Sequence, residues 1–199
     1  GVATLYVTHD KVEAMTMGDR VTVMRDGIVQ QCADPQTLYD HPRNIFVAAF
    51  IGSPAMNLYE ATLGDDAGSL SLGSQTVELP ESRRVTHPHL ASCVGHQFVV
   101  RLRPEHLTVH DGDAGALALL PADVELVEAL GSELLVHFTI DATKVFAEGA
   151  IDEHDQLALG GEGVARVDPR SLVKPGDRVQ FVIDTQRMHF FEPDGSIIE

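Results

Sequence analysis

The sequence predicts an α+β fold, in which a short α/β segment is followed by a longer, mainly β region. Up to Gly52 strand and helix patterns alternate; after it, short β-branched and aromatic runs are separated by Gly, Pro and Asp turns. The charge changes at the same place. Residues 1–52 carry four basic and six acidic side chains, whereas the remainder carries 10 and 24 and holds most of the net charge of −16. We therefore predict two domains, 1–52 and 53–199.

The composition excludes several classes of partner. A chain with a pI near 4.8 lacks the clustered Lys and Arg that nucleic acids and anionic membranes require, so we expect no nucleic-acid partner. The longest apolar runs, 45–52 and 116–120, are far shorter than the ~20 residues needed to cross a bilayer, so we expect no direct membrane insertion. Cys32 and Cys93 lie 61 positions apart and form no Cys-x-x-Cys pair, which predicts reduced thiols.

The first elements are predicted from local signals. The β-branched run 2–7 predicts a buried strand of a parallel sheet. Asp10, with Glu13 three residues later, resembles a capping box and predicts a short helix with a partial apolar face, formed by Val12, Met15 and Met17.

The rest of the first domain contains clearer turn and cap signals. Arg25-Asp26-Gly27 between apolar runs predicts a hairpin of strands 21–24 and 28–31. Asp34-Pro35 predicts the start of a helix that ends before Pro42. A further helix is expected over 43–51, with Gly52 ending it.

About eleven short strands are expected beyond residue 52, which is typical of small barrels or a sandwich. They are predicted at 60–63, 70–72, 76–79, 98–103, 107–109, 123–129, 133–140, 144–148, 163–167, 178–183 and 189–191. Leu130-Gly131-Ser132 and Pro175-Gly176-Asp177 are predicted turns between them.

Several motifs together resemble the ATP-binding subunits of ABC importers of the maltose, trehalose and glycerol-phosphate type. Residues 5–15, including Thr8-His9-Asp10, resemble the switch-histidine region, and 18–21, 25–27 and 34–54 resemble the end of the ATPase domain. Arg103-Pro104-Glu105-His106 resembles a signature of the regulatory domain, and 124–131, ending at Gly131, resembles a strand and turn of that domain.

The resemblance implies a C-terminal piece of such a subunit. Residues 1–52 would be the end of the ATPase domain, and 53–199 an oligonucleotide-binding-like barrel of the TOBE or MOP type, used for regulation and homodimer contact. His9 would face the γ-phosphate of ATP in the intact parent, which would bind ATP and Mg²⁺, contact membrane permease subunits, and lie in the cytoplasm at the inner face of the membrane. The start at Gly1, directly in an apolar run, agrees with a chain cut from something longer.

The sequence lacks other parts of an ATPase. It has no Gly-x-x-x-x-Gly-Lys-Ser/Thr loop to cradle phosphates, and no acidic pair after an apolar strand to hold Mg²⁺ and act as base. Leu70-Ser71-Leu72-Gly73-Ser74-Gln75 only superficially resembles the Leu-Ser-Gly-Gly-Gln signature, and we interpret it as a hairpin loop. We therefore expect the chain alone to be inactive, to need no cofactor, and to pack abnormally at the unpaired strand 2–7, which could recruit a second chain.

Other polar groups in the second domain favour plain structural interpretations. The histidines at 87, 89, 96, 106 and 110 are expected to be solvated rather than metal ligands. Glu105 beside Arg101 and Arg103 predicts a local ion pair that orders a turn. The acidic run 152–155 predicts a solvated loop.

Three functions remain open from the sequence. The first is the truncated importer subunit described above. The second is a free-standing regulatory or protein-interaction module. The third is a small-oxyanion-binding barrel, which the net charge of −14 beyond residue 52 and the lack of a Ser/Lys/Arg-rich loop disfavour.

Overall fold

A computed structural model describes residues 2–52, 56–65, 67–82, 88–112, 118–147 and 163–198. The predicted features at Ser53-Pro54, at His87, at Glu148 and at 152–155 lie outside these residues. The helices are α1 Lys11–Met17, α2 Pro35–Asp40 and α3 Ile45–Ile51. The strands are β1 Val21–Arg25, β2 Ile28–Ala33, β3 Asn57–Leu63, β4 Ser69–Leu72, β5 Gln75–Glu78, β6 Gln97–Leu102, β7 Leu107–Val109, β8 Leu119–Ala129, β9 Leu134–Thr139, β10 Gly163–Val167, β11 Arg178–Ile183 and β12 His189–Phe191.

The predicted strand over residues 2–7 is wrong. This segment has no regular structure and its large apolar side chains are exposed: Val2 and Leu5 are each 93% exposed and Val7 is 87% exposed. A strand of a parallel sheet is stable only when neighbours satisfy its backbone and cover both faces. The described part of the chain pairs no strand with it.

Helix α1 begins where the sequence predicts. The Asp10 carboxylate accepts hydrogen bonds from the backbone N–H groups of Val12 and Glu13. Glu13 does not complete a capping box directly, since its carboxylate accepts from the Thr8 hydroxyl, which in turn accepts from the Asp10 N–H. The apolar face predicted for this helix is poorly covered, and no residue of α1 is buried.

The remaining elements of the first segment confirm the predicted caps and turn. Asp26 and Gly27 have φ values of 52° and 77° and join β1 to β2 in the tight turn that a two-residue hairpin favours. Asp34 caps α2, with Pro35 at its first position, and the helix ends before Pro42. The helix predicted over 43–51 begins two residues later, at Ile45, after the cap Asn44, which was not predicted; it ends at Gly52 as predicted.

Two antiparallel five-stranded sheets form the second region. The first has the order β12-β6-β3-β4-β5 and the second the order β10-β9-β8-β11-β7. The predicted strands correspond to these ten, with boundaries shifted by up to four residues, except at 144–148. There Lys144 pairs with Tyr59 as an isolated bridge outside the strands, and 145–147 form no strand.

The hexapeptide at 70–75 is a hairpin, as predicted. It joins β4 to β5 through Gly73, whose φ is 57°. A side chain at this glycine would meet the backbone of Asp141 on the other sheet.

The main core lies between the two sheets and joins them into one β unit, which we call the barrel. It contains aromatic side chains from both, among them Phe98 and Phe190 of the first sheet and Phe138 and Phe181 of the second. Asn57 ties the sheets together at one end, because its buried side chain donates to the Val164 carbonyl and accepts from the Val164 N–H, each at 2.8 Å. The architecture is thus mostly β with few helices, as predicted.

A second core attaches the helices to the outer face of the first sheet. Leu38 of α2 and Phe46 of α3 pack here with Leu58, Val99 and Phe191 of the sheet. The contact continues through the backbone, where the Ile45 N–H donates to the Gly195 carbonyl and the Ile197 N–H to the Arg43 carbonyl.

Candidate functional site

The Arg103-Pro104-Glu105-His106 motif forms the corner between β6 and β7. Arg103 is extended, and Pro104, whose ring fixes φ, starts a 3₁₀ turn that ends at His106. The corner is fixed at its other end because the Asp184 N–H donates to the His106 carbonyl. The local sequence therefore turns the chain sharply and directs Arg103 and Glu105 toward α2.

Three side chains meet at this corner, and we call Tyr39, Arg103 and Glu105 the Tyr39 clamp. The guanidinium carbon of Arg103 lies 3.4 Å from the centroid of the Tyr39 ring, a cation–π arrangement. Arg103 also donates to the Tyr39 carbonyl, and the Tyr39 hydroxyl donates to Glu105. The predicted local ion pair is present between Arg103 Nη1 and Glu105 Oε1 at 3.6 Å. The clamp thus joins the last turn of α2 to the barrel.

The neighbouring histidine strengthens the same junction. His189 of β12 pairs through its ring Nε2 with the carbonyl of Asp40, the last residue of α2, at 2.7 Å. Nothing in the sequence assigned a role to His189 or to Tyr39. A Leu-Tyr pair near a helix end is too common a pattern to indicate a partner in the corner between β6 and β7.

Arg101 does not take part in the predicted ion pair. Its side chain is fully buried in β6, where Nε donates to Met56 Sδ at 3.4 Å. Nη1 and Nη2 have no hydrogen-bond partner among the described residues. Burial and the nearby charge of Arg103 lower the pKa of Arg101 to about 9.

Burial and hydrogen bonds shift the pKa values of the clamp. Burial raises the pKa of the Glu105 carboxyl, but the Tyr39 hydroxyl, a backbone donor and Arg103 together outweigh this and lower it. Burial and the hydrogen bond to Glu105 raise the pKa of Tyr39. Burial lowers the pKa of His106, and Arg103 adds to the effect. Near neutral pH the clamp therefore holds a charged Glu105 and a neutral Tyr39, and the adjacent His106 is also neutral.

The clamp can position elements but is not arranged as a catalytic site. Every member is engaged in holding α2 against the corner between β6 and β7, and Glu105 is committed to Tyr39 and Arg103. A buried network whose members are mutually paired fixes one relative position of the two elements. The clamp thus couples the first segment mechanically to the barrel.

The environment of His9 differs from that of the Tyr39 clamp. It is exposed, in the irregular segment immediately before α1. Its switch-histidine role stays a prediction. The described residues do not fit an ATP and Mg²⁺ site around it, since the sequence offers no phosphate-binding loop and no group of three metal-ligating side chains occurs in the described ranges.

The other candidate residues are dispersed. Gly131 lies in the exposed turn between β8 and β9 with a φ of 84°, as the predicted turn requires, but it is not part of the clamp. His89 and His96 are exposed, whereas His106 and His110 are half-buried, so the expectation of solvated histidines is wrong for these two.

Cys32 and Cys93 are both free thiols. None of the described helices has the length and apolar character needed to span a bilayer.

Comparison with known proteins agrees with the resemblance seen in the motifs. Residues 52–107 match the MalK OB fold domain and residues 100–160 match the TOBE domain. The osmoprotective compounds uptake ATP-binding protein GgtA of Synechocystis sp. is 40% identical over 94% of this chain and 46% of its own length. The trehalose import ATP-binding protein SugC of Mycobacterium tuberculosis is 39% identical over 98% of this chain and 50% of its own.

A third relative shows a similar level of identity. The trehalose/maltose import ATP-binding protein MalK of Thermococcus litoralis is 38% identical over 96% of this chain and 47% of its own length. The chain thus spans about half the length of the curated relatives it matches. Among solved structures, the cytoplasmic molybdate-binding protein ModG covers 69% of this chain at 13% identity with a TM-score of 0.44, which is too low to carry an argument.

Proposed function

We propose that this chain, a homologue of sugar-import ATP-binding proteins that carries their MalK-type OB and TOBE domains, acts as part of the ATP-binding subunit of an importer for sugars or sugar-like solutes. The observation that supports this is the extent of the similarity, which covers both the helical first segment and the barrel. The Tyr39 clamp gives that combination a physical meaning, because it holds the two parts in one fixed relation.

The two domains would divide the work. Residues 1–52 would be the end of the ATPase domain, with His9 as the switch histidine that hydrogen-bonds to the γ-phosphate as charge develops. Residues 53–199 would form the regulatory domain and contact a second copy. ATP and Mg²⁺ would be held by residues other than those described, and membrane permease subunits would receive the movement. The subunit would then work in the cytoplasm, at the inner face of the membrane.

The test uses the complete reading frame that encodes this chain. The proposal expects upstream codons for a phosphate-binding loop and a Leu-Ser-Gly-Gly-Gln signature, and ATPase activity in the purified product. His9→Ala should abolish turnover, whereas His96→Ala, a change at an exposed histidine of the barrel, should leave it unaltered. A natural start codon near Gly1, or full activity in the His9→Ala protein, would contradict the proposal.

A natural start codon near Gly1 would favour the alternative of a free-standing interaction module. The oxyanion-binding alternative has less support, because residues 53–199 carry a net charge of −14 that repels anions. An uptake assay on cells carrying the complete transporter, with labelled trehalose and maltose as probes, would separate a sugar importer from an oxyanion importer.

A further inference from the structure

One buried charge lies in the contact between the helices and the first sheet, which we call the junction. Arg101 is two residues beyond Val99 in β6, so its side chain shares the face of the sheet that α2 and α3 cover. Its Nε donates to Met56 Sδ, a weak acceptor, while Nη1 and Nη2 have no partner among the described residues. Most of the hydrogen-bonding capacity of this fully buried guanidinium is therefore unused.

The junction does not balance the charge of Arg101. A second guanidinium, Arg103, is also buried nearby and repels it. Asp40 and Glu105 attract Arg101, but neither forms an ion pair with it in the part of the chain that the structure describes. Glu105 is engaged with Arg103 and Tyr39 instead. Since the pKa of Arg101 is about 9, the guanidinium is charged near neutral pH, and it is a buried cation without a counterion in contact.

A buried cation of this kind opposes closure of the junction. An ion moved from water into a protein interior loses hydration worth several kcal/mol, which a close and well-bonded partner offsets only in part. When α2 and α3 leave the sheet, water reaches the guanidinium of Arg101 and the penalty disappears. The Tyr39 clamp therefore fixes the geometry of the closed junction, whereas Arg101 limits its stability.

The junction is also the smaller of the two cores. Helices α2 and α3 have six and seven residues, too few to be stable without packing against another element. The barrel, by contrast, is held by the larger core between two five-stranded sheets. Proteins open locally in cooperative units whose opening free energies lie below that of global unfolding. The two helices form the unit that separates most readily.

We propose that α2 and α3 separate from the first sheet as one unit while the barrel stays folded, and that the buried Arg101 promotes this opening. This opening goes beyond the proposed function, since it is a property of the fold and not a step of transport. It is tested on the chain described here, without nucleotide or permease subunits, so its failure is independent of the transport proposal.

Hydrogen exchange at pH 7, followed by NMR on the labelled chain, measures this opening at single amides. The N–H groups of Leu38 and Ala48 are hydrogen-bonded at α2 and α3, and that of Ile183 is hydrogen-bonded in the barrel. After correction for intrinsic rates, we expect the two helix amides to exchange at least about tenfold faster than the amide of Ile183. Equal protection at all three amides would overturn the proposed opening.

Variants at the two buried arginines separate the effect of the unpaired charge from that of the clamp. Arg101→Met replaces the cation by an apolar side chain and should slow exchange of both helix amides at least about tenfold. Arg103→Met removes the donor to the Tyr39 carbonyl and the ion pair with Glu105, and should accelerate it. The matched control Arg178→Met, at a side chain that is 76% exposed in β11, should exchange like the parent.

The role of Arg101 is contradicted if Arg101→Met exchanges at the parent's rate or faster, or if Arg103→Met slows exchange to the same extent. If Arg101→Met is unfolded by circular dichroism, Arg101→Leu, an apolar side chain of different shape, replaces it. Slower exchange in that variant supports the proposal, and unchanged or faster exchange opposes it. Failure of both variants to fold also counts against it, because a cation that opposes closure is not required for folding.

Discussion

At the scale of single residues, Tyr39 holds two charged groups of the clamp at once. Its ring covers Arg103 and its hydroxyl donates to Glu105. Tyr39→Phe keeps the ring contact and removes only the hydroxyl, so Glu105 loses a donor in a half-buried position. We expect the free energy of unfolding to fall by about 1–2 kcal/mol, measured by urea denaturation at pH 7.

The matched control for this change is Tyr6→Phe. Tyr6 also donates to a glutamate, Glu13, but this hydrogen bond is exposed on the first segment. We expect no measurable change in unfolding there. Equal losses in the two variants would mean that the Tyr39 hydroxyl does not stabilise the junction.

The lowered pKa of His106, at the same corner, predicts that the free energy of unfolding depends on pH. Its pKa is lowered in the folded chain, so between the folded pKa and about 6.5 the unfolded chain binds more protons. Stability therefore falls as pH drops below about 6.5. His106→Gln should reduce the difference in unfolding free energy between pH 7.5 and pH 5.5. His96→Gln changes a histidine at an exposed turn and should leave this difference in unfolding free energy as it is in the parent. If His106→Gln also leaves the difference unchanged, His106 is not the group responsible for it.

Glu105 adds to the loss of stability in a more acidic range. Its lowered pKa means that its contribution is complete above about 4.5 and is lost as pH falls through the folded value. The effects of His106 and Glu105 on stability can therefore be separated by pH.

The motif containing both residues was predictable from sequence, but their partner Tyr39 was not, because it lies 66 positions from Glu105 in the chain.

At the scale of elements, predictions held where the signal was local. The Asp26-Gly27 turn, the Asp34 cap and the break before Pro42 each depend on residues within one turn of themselves, and the structure confirms all three. The strand at 2–7 depended on neighbours that no local pattern can supply, and it is wrong. The start of β3 was predicted three residues late, because Asn57 reads as a turn residue although its buried side chain serves the other sheet.

The buried hydrogen bonds of Asn57 give a testable prediction about how the two sheets are joined. Asn57→Ala leaves both the N–H and the carbonyl of Val164 buried without their partner. We expect a loss of about 3 kcal/mol in the free energy of unfolding, since two buried groups each lose a bond worth about 1–3 kcal/mol. The control is Gln97→Ala, whose exposed side chain donates to Glu60 within one sheet and should change stability by less than about 0.5 kcal/mol. Similar losses in both would show that Asn57 does not join the sheets.

At the scale of the whole molecule, the first segment is attached at one end and uncovered at the other. Helices α2 and α3 are held by the second core and by the Tyr39 clamp. The residues before α1, by contrast, present Val2, Leu5 and Val7 to solvent, while the barrel contributes −14 of the chain's net charge of −16. An exposed apolar segment of this kind favours self-association, which the net charge opposes.

We expect the chain to self-associate in a concentration-dependent manner through this segment, as followed by sedimentation equilibrium. Leu5→Asp should raise the dissociation constant at least about tenfold, because burying one leucine side chain is worth about 1.5–3 kcal/mol. Leu172→Asp adds the same charge at a leucine that is 87% exposed on the barrel, and should leave the constant unchanged. A monomer at all concentrations, or equal weakening by the two substitutions, would contradict association through residues 2–7. Loss of association in Leu5→Asp alone would assign it to the uncovered segment rather than to the barrel.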